Sequence, residues 1–173
     1  MSRLVFLDFE TTGLNPVTCE PIEVAAVVTD DAFEELGAFE SLICPPEDCV
    51  WESLAWEMHD RSGLAKLAEQ DGRPPFYVGQ DLYAFLVPFA DRGPLHLAGN
   101  SVHFDRGFLR VDMPRVERLF HHRHLDVSSV RMLGERVTSA PQLGGDKPHR
   151  AMADVRRSIA ELKHWAKALR SAA

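Results

Sequence analysis

The chain is expected to fold as one α/β domain whose central sheet mixes strand directions, with an antiparallel first half and helices on its flanks. Three features of its 173 residues support this. The first fifty residues hold three short β-rich runs separated by turn chemistry. The rest alternates helical periodicity with short apolar runs that end in Gly or Asp. No internal repeat or low-complexity tract interrupts the pattern, so residues 1–173 are expected to form a single domain.

The elements follow in order. Arg3 to Phe9 (RLVFLDF) is a nearly continuous apolar run, as expected of a strand covered on both faces. Thr11 to Pro16 (TTGLNP) is a turn. Ile22 to Thr29 (IEVAAVVT) and Phe33 to Ile43 supply two more strands, close enough in sequence for an antiparallel meander that Pro45-Pro46 ends. Short helices are expected over Trp51–His59 and Gly63–Gln70, parted near Asp60-Arg61. Pro74-Pro75 breaks the pattern, and Gly79–Phe89 then shows a helical face of Leu82, Phe85, Leu86 and Phe89. Leu95–Ala98 reads as a strand, Phe104–Val111 as a helix stopped before Pro114, and Leu125–Val127 as a last short strand. Ser128 or Ser129 would cap a helix through Leu133. Residues 134–148 have loop composition, and Arg150–Leu169 is amphipathic through Ala153, Ile159, Leu162, Ala166 and Leu169.

Size and charge narrow the function classes. A chain of this length hides about 70% of its extended surface on folding, enough for a sizeable core. No run approaches the ~18 apolar residues of a membrane span, and the first ten residues do not read as a secretory signal. Nineteen basic against 26 acidic residues give a net charge of −7. That balance argues against wrapping long nucleic acid electrostatically, but not against a short strand held by metal ions and a few arginines. Cys19, Cys44 and Cys49 form no CxxC pair, as expected of a reduced, cytoplasmic protein.

Asp8 and Glu10 end the first strand, where i and i+2 side chains share a face. Two adjacent carboxylates repel unless a cation or a proton intervenes; the alternative is that Glu10 already belongs to the turn and both are solvated. Two further acids follow apolar segments: Asp105 at a helix start and Asp154 near the start of the last helix, with His149 five residues before it. Oxygen donors plus one His suit Mg²⁺ or Mn²⁺ better than zinc. An imidazole, which titrates near neutrality, suits removing a proton from water. Two divalent ions about 3.5–4 Å apart would serve phosphodiester hydrolysis.

These residues lie in segments that resemble a known family. Leu7-Asp8-Phe9-Glu10-Thr11-Thr12-Gly13-Leu14, Gly99 to Leu109 (GNSVHFDRGFL) and His149 to Asp154 (HRAMAD) resemble the three motifs of the DEDDh 3′-5′ exonuclease class. Within that class the likeness is to oligoribonucleases, carried also by Ile22-Glu23, by His59 with Ser62-Gly63-Leu64, by Leu125 to Ser129 (LDVSS) and by Ser158 to Leu162 (SIAEL). The resemblance implies an RNase H-like three-layer fold and a homodimer that hydrolyses very short single-stranded RNA, dinucleotides especially, to 5′-mononucleotides. It implies two metal ions on Asp8, Glu10, Asp105 and Asp154, with His149 as general base. It further implies that Leu14 wedges between bases, that Ser101, Arg123 and Ser128 cap the 5′ phosphate, and that Trp56 borders the cleft.

The chain departs from that family at three places. Thr11-Thr12 stands where Met usually follows the motif glutamate, and His103-Phe104 replaces Gly-Gln before Asp105. His121-His122-Arg123 replaces His-Tyr-Arg, whose Tyr crosses the dimer interface to stack on the substrate; His122 would stack there with a smaller ring. The first two departures favour a second reading, a general or proofreading-type 3′-5′ exonuclease acting on longer single-stranded DNA or RNA. A third, from another class, is a non-catalytic RNase H-like binding or dimerisation module, which would not need all four acids and His149. The His121–His124 cluster has no accompanying zinc ligands at the usual spacing.

Overall fold

The computed structural model describes residues 3–144 and 149–172, without the side chain of Arg92. Positions 145–148 of the expected 134–148 loop lie outside the described residues. Strands β1 (Leu4–Thr11), β2 (Pro21–Thr29) and β3 (Glu35–Leu42) form the expected antiparallel meander. Strands β4 (His96–Gly99) and β5 (Leu125–Asp126) add to its other side in parallel, giving the order β3-β2-β1-β4-β5. The mixed sheet with an antiparallel first half is therefore present, and β1 lies at its centre.

The helices are α1 (Ser53–Ser62), α2 (Leu64–Asp71), α3 (Pro75–Leu86), α4 (His103–Asp112), α5 (Pro114–Glu117), α6 (Val127–Val137) and α7 (Ala151–Ala172). They cover both faces of the sheet. On one face, Val5, Leu7 and Phe9 of β1 pack with Val78, Leu82 and Leu86 of α3, Phe108 and Leu109 of α4 and Val116 of α5. On the other, Phe6 and the Ala25 and Val27 of β2 meet Val127 of α6 and Ala151, Val155, Ile159 and Leu162 of α7. β1 is covered on both faces, which is why its sequence is apolar almost throughout. Among the described residues no helix is long and apolar enough to cross a membrane, and Cys19, Cys44 and Cys49 are free thiols.

Several boundaries differ from the sequence reading, each for a local reason. The break between α1 and α2 falls at Gly63, which adopts φ 77 and ends one helix while starting the next. Pro75 opens α3 instead of breaking it, since a first-turn residue needs no N–H partner. The α-helix stops at Leu86 because Pro88 follows, and Val87–Arg92 continues as a 3₁₀ turn. Pro114 likewise begins the short α5, a further helix beyond those expected from periodicity. Asp126, not Ser128 or Ser129, caps α6, accepting the Ser129 N–H at 3.3 Å.

α6 also runs past Leu133 through Gly134 to Val137. A Cβ on Gly134 would lie 2.3 Å from Cε3 and 2.8 Å from Cζ3 of the fully buried Trp165, so this glycine permits α6 to approach α7. Helix propensity alone would reward Gly134→Ala by about 1 kcal/mol. Overpacking against a rigid indole costs about 1–3 kcal/mol, and it should win. A lower denaturant midpoint for Gly134→Ala is expected; a raised one would show that the helices separate freely.

Candidate active site

The site lies where β1 outruns β4. Their parallel pairing covers Leu4↔His96 to Phe6↔Ala98, and β4 then turns away at Gly99. A Cβ at Gly99, whose φ is 158, would come within 3.1 Å of the Leu7 carbonyl. Beyond this point the β4 side of β1 has no strand partner. The Phe9 N–H is satisfied instead by Asp105 Oδ1 at 2.9 Å, delivered from the first turn of α4. Asp105 thereby fixes the end of β1 as well as bringing a carboxylate to it.

Asp8 and Glu10 alternate in register with Phe6, on the sheet face that α7 covers. Glu10 is part of β1 and buried, which excludes the solvated-turn alternative. Asp154 in the first turn of α7 comes down on the same spot, and carboxylate oxygens of Asp8, Glu10 and Asp154 lie within 4.8 Å of one another. Asp105, only 2% exposed, adds a fourth acid within electrostatic reach of Asp8 and Glu10.

The electrostatics reflect this crowding. Burial, then the charges of Asp8, Asp154 and Glu23, push Glu10 up to about 8. Burial first, and the Asp8 charge second, raise Asp105 well above the usual carboxylate range, although the Phe9 N–H opposes them. Oxygen donors that repel one another and resist ionisation suit a hard divalent cation, whose charge replaces the missing counter-charge.

Two residues that support the site carry no role in the sequence reading. Glu23, cross-strand from Glu10 and 0% exposed, accepts the Ala151 N–H at 2.8 Å and pairs with Arg150, Nη2 to Oε1, at 2.7 Å. It therefore anchors the N-terminus of α7 and with it Asp154. Its signal in the sequence is a charged residue inside an otherwise apolar strand. His59, buried on α1, places Nε2 3.1 Å from the Thr11 carbonyl and 3.6 Å from Glu10 Oε2. Burial lowers the His59 pKa, with the Thr11 carbonyl opposing the shift and His149 adding to it.

The remaining candidates are distributed as follows. His149 precedes α7 with φ 49, a left-handed conformation, and is exposed opposite Leu54, Glu57, Met58 and Arg61 of α1. A cleft beside Glu10 is lined by Leu14, Leu54, Met58, His59 and Phe104. Leu14 is 72% exposed at this cleft, whereas Trp56, 42% exposed, packs edge-on against Trp51 at 5.1 Å. The Ser101 N–H donates to Ser128 Oγ at 3.1 Å, joining the two serines, and the Ser128 hydroxyl donates to Asn100 Oδ1 at 3.0 Å. His122 and Arg123 are exposed on the segment between Phe120 and β5.

Glu10 offers a direct probe of the acid cluster. An unfolded chain releases this proton near 4.5, whereas the folded protein holds it to about 8. The resulting stability is fully present below the unfolded value and is lost as pH rises through the folded one. In EDTA, Glu10→Gln should therefore raise the melting temperature at about pH 9 and change it little at about pH 5. Equal shifts at both pH values would contradict the crowding.

Comparison with known proteins agrees with this architecture. The exonuclease family RNase T matches residues 5–162. An oligoribonuclease of Rhodococcus jostii is 36% identical over 174 residues, covering 95% of this chain and 86% of that protein. One of Dichelobacter nodosus is 34% identical over 167 residues, covering 95% and 93%, and one of Streptomyces coelicolor is 38% identical over 177 residues, covering 96% and 86%. Among solved structures, E. coli exonuclease I in complex with a dT13 oligonucleotide superposes with a TM-score of 0.77 at 20% identity. That match covers 99% of this chain and 42% of the other, so the chain spans about two-fifths of exonuclease I, and the likeness shows the shared RNase H-like fold. With that fold, and with relatives matched over nearly its whole length, the chain is a nuclease belonging to the oligoribonuclease family of the DEDDh exonuclease class.

Proposed function

We propose that the protein is a 3′-to-5′ exoribonuclease that hydrolyses very short single-stranded RNA, dinucleotides especially, to 5′-mononucleotides. It acts as one domain over residues 1–173, as a homodimer, in the reducing cytoplasm that suits its free thiols. The observation that carries this reading is the convergence of Asp8, Glu10 and Asp154, with Asp105 beside them, at the end of β1.

Asp8, Glu10, Asp105 and Asp154 would hold two divalent ions, Mg²⁺ or Mn²⁺, which when bound would supply Lewis-acid polarisation of the scissile phosphate and offset charge on the leaving oxygen. His149 takes a proton from the attacking water as its oxygen bonds to phosphorus and the bond to the 3′ oxygen breaks. Its position on the segment before α7, opposite α1, leaves the ring open to solvent. Leu14 separates the bases, with Trp56 nearby. Ser101, Ser128 and Arg123 receive the 5′ phosphate, Arg through its planar fork. His122 reaches the neighbouring protomer's substrate.

One observation favours a second reading. Phe104 stands in the cleft with Leu14, giving a larger apolar platform where the family usually has a polar residue, and this suits a general 3′ exonuclease on longer strands. Digestion of a labelled RNA series from two to about ten nucleotides separates the two. A steep preference for the dinucleotide is expected, flat length dependence selects the general exonuclease, and no turnover with Mg²⁺ or Mn²⁺ leaves a non-catalytic module.

Asp8→Ala and Asp154→Ala should each remove most turnover while the protein stays folded, because these groups position ions more than they fill a core. Asp105→Ala should remove turnover too, with some loss of stability because it frees the buried Phe9 N–H. Near-normal activity in any two would refute the assignment. His149→Asn should slow the chemical step by about 10²–10⁴-fold with Mn²⁺ affinity retained; a loss explained by weaker Mn²⁺ binding would make His149 a ligand instead.

A further inference from the structure

The segment from His121 to His124 crosses between Phe120 and β5 outside any helix or strand. Among the described residues, three hydrogen bonds hold it. The His121 N–H donates to the Leu95 carbonyl at 2.7 Å, and the Arg123 N–H donates to His121 Nδ1 at 3.1 Å. The third comes from a different element: Arg106 Nη1 on α4 donates to the His122 carbonyl at 3.1 Å. The His121 ring is stacked on His96 at 4.8 Å and lies 4.1 Å from the His122 ring.

Arg106 is 5% exposed, and each of its three nitrogens donates a hydrogen bond. Nε and Nη2 both donate to Glu117 Oε1 of α5, at 3.1 and 3.0 Å. Glu117 thus sets the plane of the guanidinium, and the third nitrogen meets the His122 carbonyl. Lysine gathers its three donors on one nitrogen and cannot reproduce this planar fork, so it holds the two acceptors less well. Asp105, the preceding residue, holds the Phe9 N–H. Consecutive residues in the first turn of α4 therefore tie down the end of β1 and the segment that carries His122 and Arg123.

We propose that Arg106 is a positioning residue for substrate capture: its fork, oriented by Glu117, holds the His122 main chain so that the adjoining Arg123 meets the 5′ phosphate of a short RNA. This rests on the reading above, in which Arg123 receives the 5′ phosphate. Without the bond to the His122 carbonyl, the segment pivots on the pairing of His121 with Leu95 and carries the Arg123 side chain away.

The test uses two dinucleotides of the same sequence, one 5′-phosphorylated and one with a 5′ hydroxyl, in Mg²⁺. In Arg106→Lys, KM for the phosphorylated dinucleotide should rise about tenfold, the loss expected for a charge-assisted hydrogen bond. KM for the hydroxyl form should change far less. Arg123→Ala should show the same selectivity, and the double variant should be no worse than Arg123→Ala alone. Should Arg106→Lys fold poorly, Glu117→Gln, which loosens the fork without removing it, should give a smaller selective rise in KM.

An Arg106→Lys effect that is equal on both dinucleotides, or that falls on kcat alone, overturns the proposal while a selective Arg123→Ala effect leaves the phosphate-binding role standing. An unselective Arg123→Ala removes that role, and the proposal with it.

Discussion

Mutual repulsion among four carboxylates is the constraint around which this structure is arranged. Asp8, Glu10 and Asp154 bring oxygens within 4.8 Å of one another, with the buried Asp105 alongside. A core made only for stability would not assemble such a group, because each added charge penalises the next. In the metal-free protein the cost is partly avoided by protonation, as the Glu10 pKa of about 8 shows. The arrangement becomes intelligible once a divalent cation supplies the opposing charge.

The sheet topology makes the convergence possible. β1 lies between an antiparallel neighbour, β2, and a parallel one, β4, and only β2 follows it to its end. The gap left by β4 admits the first turn of α4, while the opposite face receives the first turn of α7. Asp105 and Asp154 therefore arrive from separate layers at one strand end, each from a helix start. Glu23 links these arrangements, because it pairs across the sheet with Glu10 and also secures the start of α7 through the Ala151 N–H. A single buried side chain thus relates the strand that bears two of the acids to the helix that bears another.

Much of this was legible in the sequence. The three-strand meander follows from β-rich runs separated by turns, and α7 follows from its apolar spacing. Asp8 and Glu10 stood out as charges at the end of an apolar strand. What was not legible depends on tertiary partners. Pro75 and Pro114 begin helices, a role that local breaker chemistry does not distinguish from termination. Asp126 caps α6 where Ser128 and Ser129 are equally good capping types, and Ser128 is instead bonded to Asn100. Arg106 reads as a charged residue on a helix until Glu117 and the His122 carbonyl are seen to occupy its fork.

The central claim is that the acid cluster is a cation site and not an accident of packing. The most direct test is titration of the metal-free protein with Mn²⁺, followed by loss of the free-ion paramagnetic signal, for the native chain and for Asp8→Asn and Asp154→Asn. The account predicts saturable binding by the native protein that both substitutions abolish or greatly weaken, in variants that melt no lower than the native protein without metal. Binding that is unchanged in both variants would place the metal elsewhere and contradict the account.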